Sequence, residues 1–147
     1  LVNAPQDHAF EAFTEGLGRW WPKTHSIGTA PMKDAVIEPR VGGRWYELGE
    51  DGSQCNVGKV LLWDPPQRLI VGWQINSNWQ SDETMMSEVE VRFTSKGERT
   101  LVELEHRNFE VLGPEGGASM RKSVDSGWPG LLELFANEAQ ATVEKHQ

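Results

Sequence analysis

A Gly-Gly pair, a Pro-Pro pair and two strand-like runs ending in tryptophan fall between Arg40 and Trp73. The stretch opens Arg40-Val41-Gly42-Gly43-Arg44-Trp45-Tyr46-Glu47-Leu48 and resumes at Val57-Gly58-Lys59-Val60-Leu61-Leu62-Trp63. Asp64-Pro65-Pro66 then interrupts it before Arg68-Leu69-Ile70-Val71-Gly72-Trp73. Gly42-Gly43 tolerates positive φ and predicts a two-residue hairpin connection. Pro65-Pro66 predicts a turn that is open or contains a cis bond. Turns at this spacing commit the chain to a meander of antiparallel strands, whose apolar face must be covered by other elements. Such an arrangement can enclose a pocket, but it names no chemistry.

The flanking segments supply the cover. Pro5 suits a first helical turn, and Ala9, Phe10, Phe13 and Leu17 recur at helical spacing, predicting a helix to about Glu15 and a short second helix or turn at Trp20-Trp21. Residues 23–33 read as a loop able to act as a flap. A strand opens at Ala35, Arg44–Leu48 returns, Glu50-Asp51-Gly52-Ser53 turns, and a long strand runs from Cys55 to Trp63. Leu69, Val71, Trp73 and Ile75 share one face of the next strand. Val89, Val91 and Phe93 alternate with Glu88, Glu90 and Arg92, and Val102, Leu104 and His106 alternate with Glu103, Glu105 and Arg107. That parity sends His106 inward and leaves the glutamates on a wet outer face. Residues 109–117 read as a loop. Pro129 is expected in the first turn of a terminal helix with a stripe of Trp128, Leu131, Leu132, Phe135, Ala139 and Val143. The expected domain organisation is a single unit over residues 1–147.

Composition narrows the function classes. Fourteen basic against 22 acidic residues give a net charge of -8, which opposes binding to nucleic acid or anionic membranes. No apolar run approaches the roughly 20 residues that span a bilayer, and no secretory signal is visible, so a soluble, cytoplasmic protein is expected. Cys55 is the one cysteine and cannot form an internal disulfide. His8, His25, His106 and His146 lack the short paired spacings of metal ligands, so neither metal nor other cofactor is expected.

The candidate ligand-binding residues are inward aromatic and apolar side chains with few polar groups among them. Trp45, Trp73, Trp79, Phe93, Leu104 and Trp128 are the wall candidates, although plain core packing explains any one of them as well. His106 is the polar candidate, and with His25 of the flap it forms the weak catalytic pair, as acid or base. Glu47 shares strand parity with Trp45 and can supply an inward carboxyl group, unless a bulge near Gly42-Gly43 breaks the alternation.

Taken in order, Ala9-Phe10 and Phe13 after a proline, Trp20-Trp21, Arg40-Val41-Gly42-Gly43-Arg44-Trp45, Gly58-Lys59-Val60 leading to Asp64-Pro65-Pro66, Arg68-Leu69 leading to Trp73, and Gly127-Trp128 followed by Leu131 and Leu134 form a specific combination. It resembles the heat-shock protein 90 ATPase activator-like family of the SRPBCC superfamily, the START-like and birch-pollen-allergen-like proteins. The resemblance implies an α+β helix-grip fold, in which a bent antiparallel sheet and two short helices close with a long C-terminal helix over a cavity. Leu1 and Val2 would be the remains of a first strand. Superfamily members bind lipids, steroids or other apolar molecules, some cyclise polyketides, and the eponymous branch stimulates a chaperone ATPase. The leading expectation is therefore binding of a small apolar or aromatic molecule between the sheet and the C-terminal helix. A chaperone-associated interaction module of the stress response comes second, because the eponymous activator uses a further domain for much of its chaperone contact. A cyclase- or hydrolase-type enzyme using a cavity histidine comes third. A homodimer through a strand edge or helix face is compatible with all three.

Overall fold

The computed structural model describes residues 2–21, 32–75 and 86–145. Helices α1 (Gln6–Thr14) and α2 (Leu17–Trp20) precede six strands, β1 (Met32–Ile37), β2 (Arg44–Gly49), β3 (Gln54–Asp64), β4 (Arg68–Trp73), β5 (Ser87–Lys96) and β6 (Arg99–Arg107). A 3-10 turn over Phe109–Leu112 leads into α3 (Pro114–Lys145). The strands pair antiparallel in sequence order, β1 through β6, as one curled sheet. Register shifts interrupt the β1–β2, β2–β3 and β3–β4 ladders. Extra residues at such shifts bend the strands and increase their twist, which lets a meander wrap around a helix. At one shift the backbones of Gly58 and Gly72 approach so closely that a Cβ on Gly58 would lie 1.7 Å from the Gly72 carbonyl oxygen. Only glycine fits there.

The inner face carries the alternation expected of it. Leu69, Val71, Trp73, Val89, Val91 and Phe93 are buried, and Trp45 and Glu47 are both buried along β2. The β2–β3 shift falls between Trp45 and Tyr46, with the extra residue on β3, so the inward parity of Glu47 survives. Helix α1 packs Phe10 and Phe13 against Phe93 at 5.2 and 5.9 Å between ring centroids. The indole N–H of Trp20 donates to the Ala12 carbonyl at 2.9 Å, occupying an acceptor that the end of α1 leaves open. Val2 exchanges two backbone hydrogen bonds with Thr100 of β6.

Three expectations need correction. The β1–β2 connection is not a two-residue hairpin but spans residues 38–43, because Pro39 cannot donate to a ladder and ends β1 early. Gly42, at φ 81°, serves the turn closed by the Gly43 N–H on the Arg40 carbonyl. Second, Met32 and Lys33, expected in the loop, belong to β1; the rest of that segment lies outside the described residues. Third, the terminal helix starts at Pro114 rather than near Pro129, and with the 3-10 turn over Phe109–Leu112 it replaces most of the loop expected over residues 109–117. Pro114 takes the first-turn position, where a missing N–H costs nothing. Pro129 sits inside the helix with both it and Asp125, four residues earlier, exposed, so the lost backbone bond falls on the solvent side. The buried stripe is consequently longer and runs Met120, Val124, Trp128, Leu131, Phe135 and Ala139.

The outer face is less simply wet than alternation suggests. Glu90 is 6% exposed and lies among Arg68, Arg92 and Arg107, with Arg107 Nη1 donating to its Oε1 at 2.5 Å. The Arg107 hydrogen bond holds the Glu90 carboxyl below its ordinary range. Glu90→Gln is expected to destabilise the fold by about 1–2 kcal/mol, the lower part of the range for a charge-assisted bond because the arginines are half-exposed. Urea unfolding with an unchanged m-value would verify it, and a wild-type midpoint would refute it.

Candidate functional site

Between the inner face of the sheet and the middle of α3 lies a cavity of about 220 Å³. Among the described residues its wall comes from Trp21 after α2, Glu47 of β2, Val57 of β3, Trp73 and Ile75 at the end of β4, and Ser123, Val124, Gly127, Trp128 and Leu131 of α3. Glu47 and Ser123 are the polar residues in that set. Trp73 and Trp128 meet edge to face at 5.8 Å, and Trp21 stands 6.2 Å from Trp128. Gly127 leaves α3 without a side chain at this level, where a Cβ would meet only open space.

Two buried polar groups mark the wall. Glu47 is 4% exposed, opposite Cys55 across the β2–β3 ladder. Burial, and then the charge of Glu47, push the Cys55 thiol above its ordinary value, so it is a poor nucleophile. The indole N–H of Trp73 is buried without an acceptor. An orphaned buried donor costs on the order of 1–3 kcal/mol.

His106 lies on the far side of the two tryptophans. Its ring is 5.1 Å from Trp73 and 4.5 Å from Phe109, and it lines a separate surface cleft of about 480 Å³ with Arg107, Asn108 and Arg121. Trp128 Nε1–H donates to His106 Nδ1 at 3.2 Å, which assigns the proton to Nε2, 2.8 Å from Ser87 Oγ. Burial lowers the His106 pKa to about 4. A neutral ring whose Nε2 already carries a proton cannot take one from Ser87, so the Ser87–His106 pair is no activated nucleophile.

The remaining sequence candidates among the described residues separate in space. Trp45 stands behind the wall, 5.5 Å from Trp73 and 5.6 Å from Trp21. Phe93 belongs to the cluster under α1, and Leu104 is half-buried on β6; neither is in the described wall. His25 and Trp79 lie outside the described residues. Ser123, Val124 and Gly127 were missed because the helix was expected to start near Pro129. The four-residue spacing Met120, Val124, Trp128 was the signal that could have found them. Among the described residues no group of three or more His, Cys, Asp or Glu could hold a metal, and no helix is long and apolar enough to cross a membrane.

The family model described as Activator of Hsp90 ATPase homolog 1-like protein matches residues 3–140. The chain belongs to that family. Among solved structures, this family member is 40% identical to an anthrahydroquino-γ-pyrone synthase, Txn09, determined as a complex with SUM, over 93% of this chain and 91% of that one, with a TM-score of 0.65. It is 33% identical to CalC, a self-sacrificing resistance protein from Micromonospora echinospora, over 96% of this chain and 90% of that one, with a TM-score of 0.70. Protein MLL2253 from Mesorhizobium loti, at 20% identity and a TM-score of 0.63 over 97% and 93% of the two chains, shares the fold. No curated protein sequence matches the chain.

Proposed function

We propose that the protein binds a compact aromatic molecule in the cavity between its sheet and α3. The observation that carries this reading is the cavity wall itself, where indole rings of Trp21, Trp73 and Trp128 bound a largely apolar space. Flat rings stack well against such surfaces. At about 220 Å³ the cavity is smaller than the roughly 300–1,000 Å³ of drug-sized sites, which favours two or three fused rings over a lipid chain. The 40% identity to a synthase of an aromatic pyrone supports the same class. A chaperone-docking role draws less support, since Val41 and Leu134 are the exposed large hydrophobic residues among those described and lie on different elements.

Catalysis on the bound ring system is a second reading, favoured by the similarity to that synthase and by the carboxyl group of Glu47 in the wall. His106 gains no support as its acid or base, being neutral and outside the described wall, and His25 lies outside the described residues.

Native mass spectrometry and thermal melting across a panel of fused-ring aromatics and fatty acids test both readings. At a hundredfold excess over the dissociation constant a ligand adds about 2.7 kcal/mol, raising the midpoint of a domain this size by roughly 5–10 °C. Shifts and adducts are expected for aromatics and not for fatty acids. A panel without any shift refutes binding, and a bound compound recovered with altered mass establishes catalysis.

A further inference from the structure

Gly127 lies in the interior of α3, where glycine is the poorest helix former after proline. Its backbone is ordinary helix, without the left-handed φ of Gly42 or Gly113, so conformation does not require it. Packing among the described residues does not require it either. Beyond its chain neighbours and the helix's own backbone, a Cβ at 127 would have nothing within 4 Å, whereas one on Gly117 of the same helix would lie 2.5 Å from the Phe109 carbonyl oxygen. What borders Gly127 is the cavity. It belongs to the wall, together with Ser123 one turn before it, Val124, Trp128, and Leu131 one turn after. Helical side chains lean toward the N-terminus, so a side chain at 127 would lie over Ser123 and Val124, along that wall. Gly130 has equally open surroundings but is exposed and is not in the described wall.

We infer that Gly127 sets the size of ligand the cavity accepts, its missing side chain leaving a notch in the α3 wall that admits a third fused ring. The inference rests on the binding function proposed above and narrows it from compact aromatics to three-ring systems with the outermost ring over Gly127. Without a Cβ the helix backbone itself can meet the ring, an approach that any other residue would hold off. Trp73 and Trp128 offer surface to two rings or three, and Gly127 distinguishes between them. Filling the notch should therefore stabilise the empty protein and weaken binding of the larger ligand together, an opposition that a glycine needed only for the fold does not produce.

Titration calorimetry on the intact chain with 2-naphthol, which has two fused rings, and 9-phenanthrol, which has three, tests this alongside thermal melting of the ligand-free protein. The wild type is expected to bind both. Gly127→Ala is expected to raise the ligand-free midpoint by roughly 2–4 °C and to weaken 9-phenanthrol about tenfold, while 2-naphthol changes by less than about twofold. In Gly127→Leu the loss for 9-phenanthrol is expected to reach about a hundredfold. Gly130→Ala is expected to raise the midpoint similarly and leave both affinities unchanged, which separates the cavity from helix propensity. Should the leucine variant fail to fold, the alanine variant decides. Equal losses for both ligands, or none for either, overturn the size role and leave aromatic binding standing. Wild-type binding of 2-naphthol alone, or a midpoint lowered by Gly127→Ala, does the same. No binding of either ligand to the wild type overturns the binding function as well.

Discussion

Phe135→Ala is expected to destabilise the protein by about 3–5 kcal/mol, enough to remove a third or more of the stability of a typical domain. Phe135 is 1% exposed at the point where three helices meet. Its ring packs edge to face with Phe13 of α1 at 5.2 Å and with Trp20 of α2 at 5.6 Å. Removing it loses apolar burial and opens a void, and neighbouring aromatic rings already in edge-to-face contact cannot collapse cheaply into that void. The melting midpoint should fall by roughly 6–20 °C. Leu134, the next residue back, is 42% exposed, and Leu134→Ala should change stability by less than about 1 kcal/mol. Equal effects from the two substitutions would mean that the Phe135 contacts do not hold α3 to the N-terminal helices.

Acid should weaken the fold by about 3 kcal/mol between pH 6.5 and pH 4, with His106 as the source. Burial lowers its pKa from 6.5 to about 4 in the folded protein. Between those values the unfolded chain binds a proton that the folded one does not, so falling pH favours unfolding. Stability from this group is complete above pH 6.5, declines through the window and levels off below pH 4. Glu90 acts in a lower range, because its pKa is depressed from 4.5, and its contribution disappears only as pH falls through that depressed value. His106→Gln is the matched control, since an amide can accept from Trp128 and donate to Ser87 yet does not titrate. Urea unfolding at intervals from pH 7.5 to 4.5 should show the slope in the wild type and a much flatter profile in the variant. An unchanged slope in His106→Gln would remove His106 as the cause.

Much of the fold was legible because periodicity is a local property. Alternation along β4, β5 and β6 marked Leu69, Val71, Val89, Val91 and Phe93 as inward, and burial follows that pattern. Turn chemistry located the Glu50-Asp51-Gly52-Ser53 turn and allowed for the cis Pro65-Pro66 bond. The same chemistry misled at Pro129, because whether a proline begins a helix or interrupts one depends on which face its lost hydrogen bond occupies. That face is decided by contacts with the sheet, which a linear reading does not contain.

The site was legible only in part. Parity alone brought Trp45, Trp73, Leu104 and His106 to one face, but a curled sheet distributes one face over several environments. Thus Trp73 lies in the cavity wall, Trp45 behind it, and His106 on a separate cleft. The chain by itself determined the meander, its inward residues and its family, since these depend on the order of side chains along each strand and helix. Tertiary structure decided what encloses the cavity and which polar groups reach it. The lining depends on how far the sheet curls and where α3 crosses it, and both follow from long-range packing rather than from residue order.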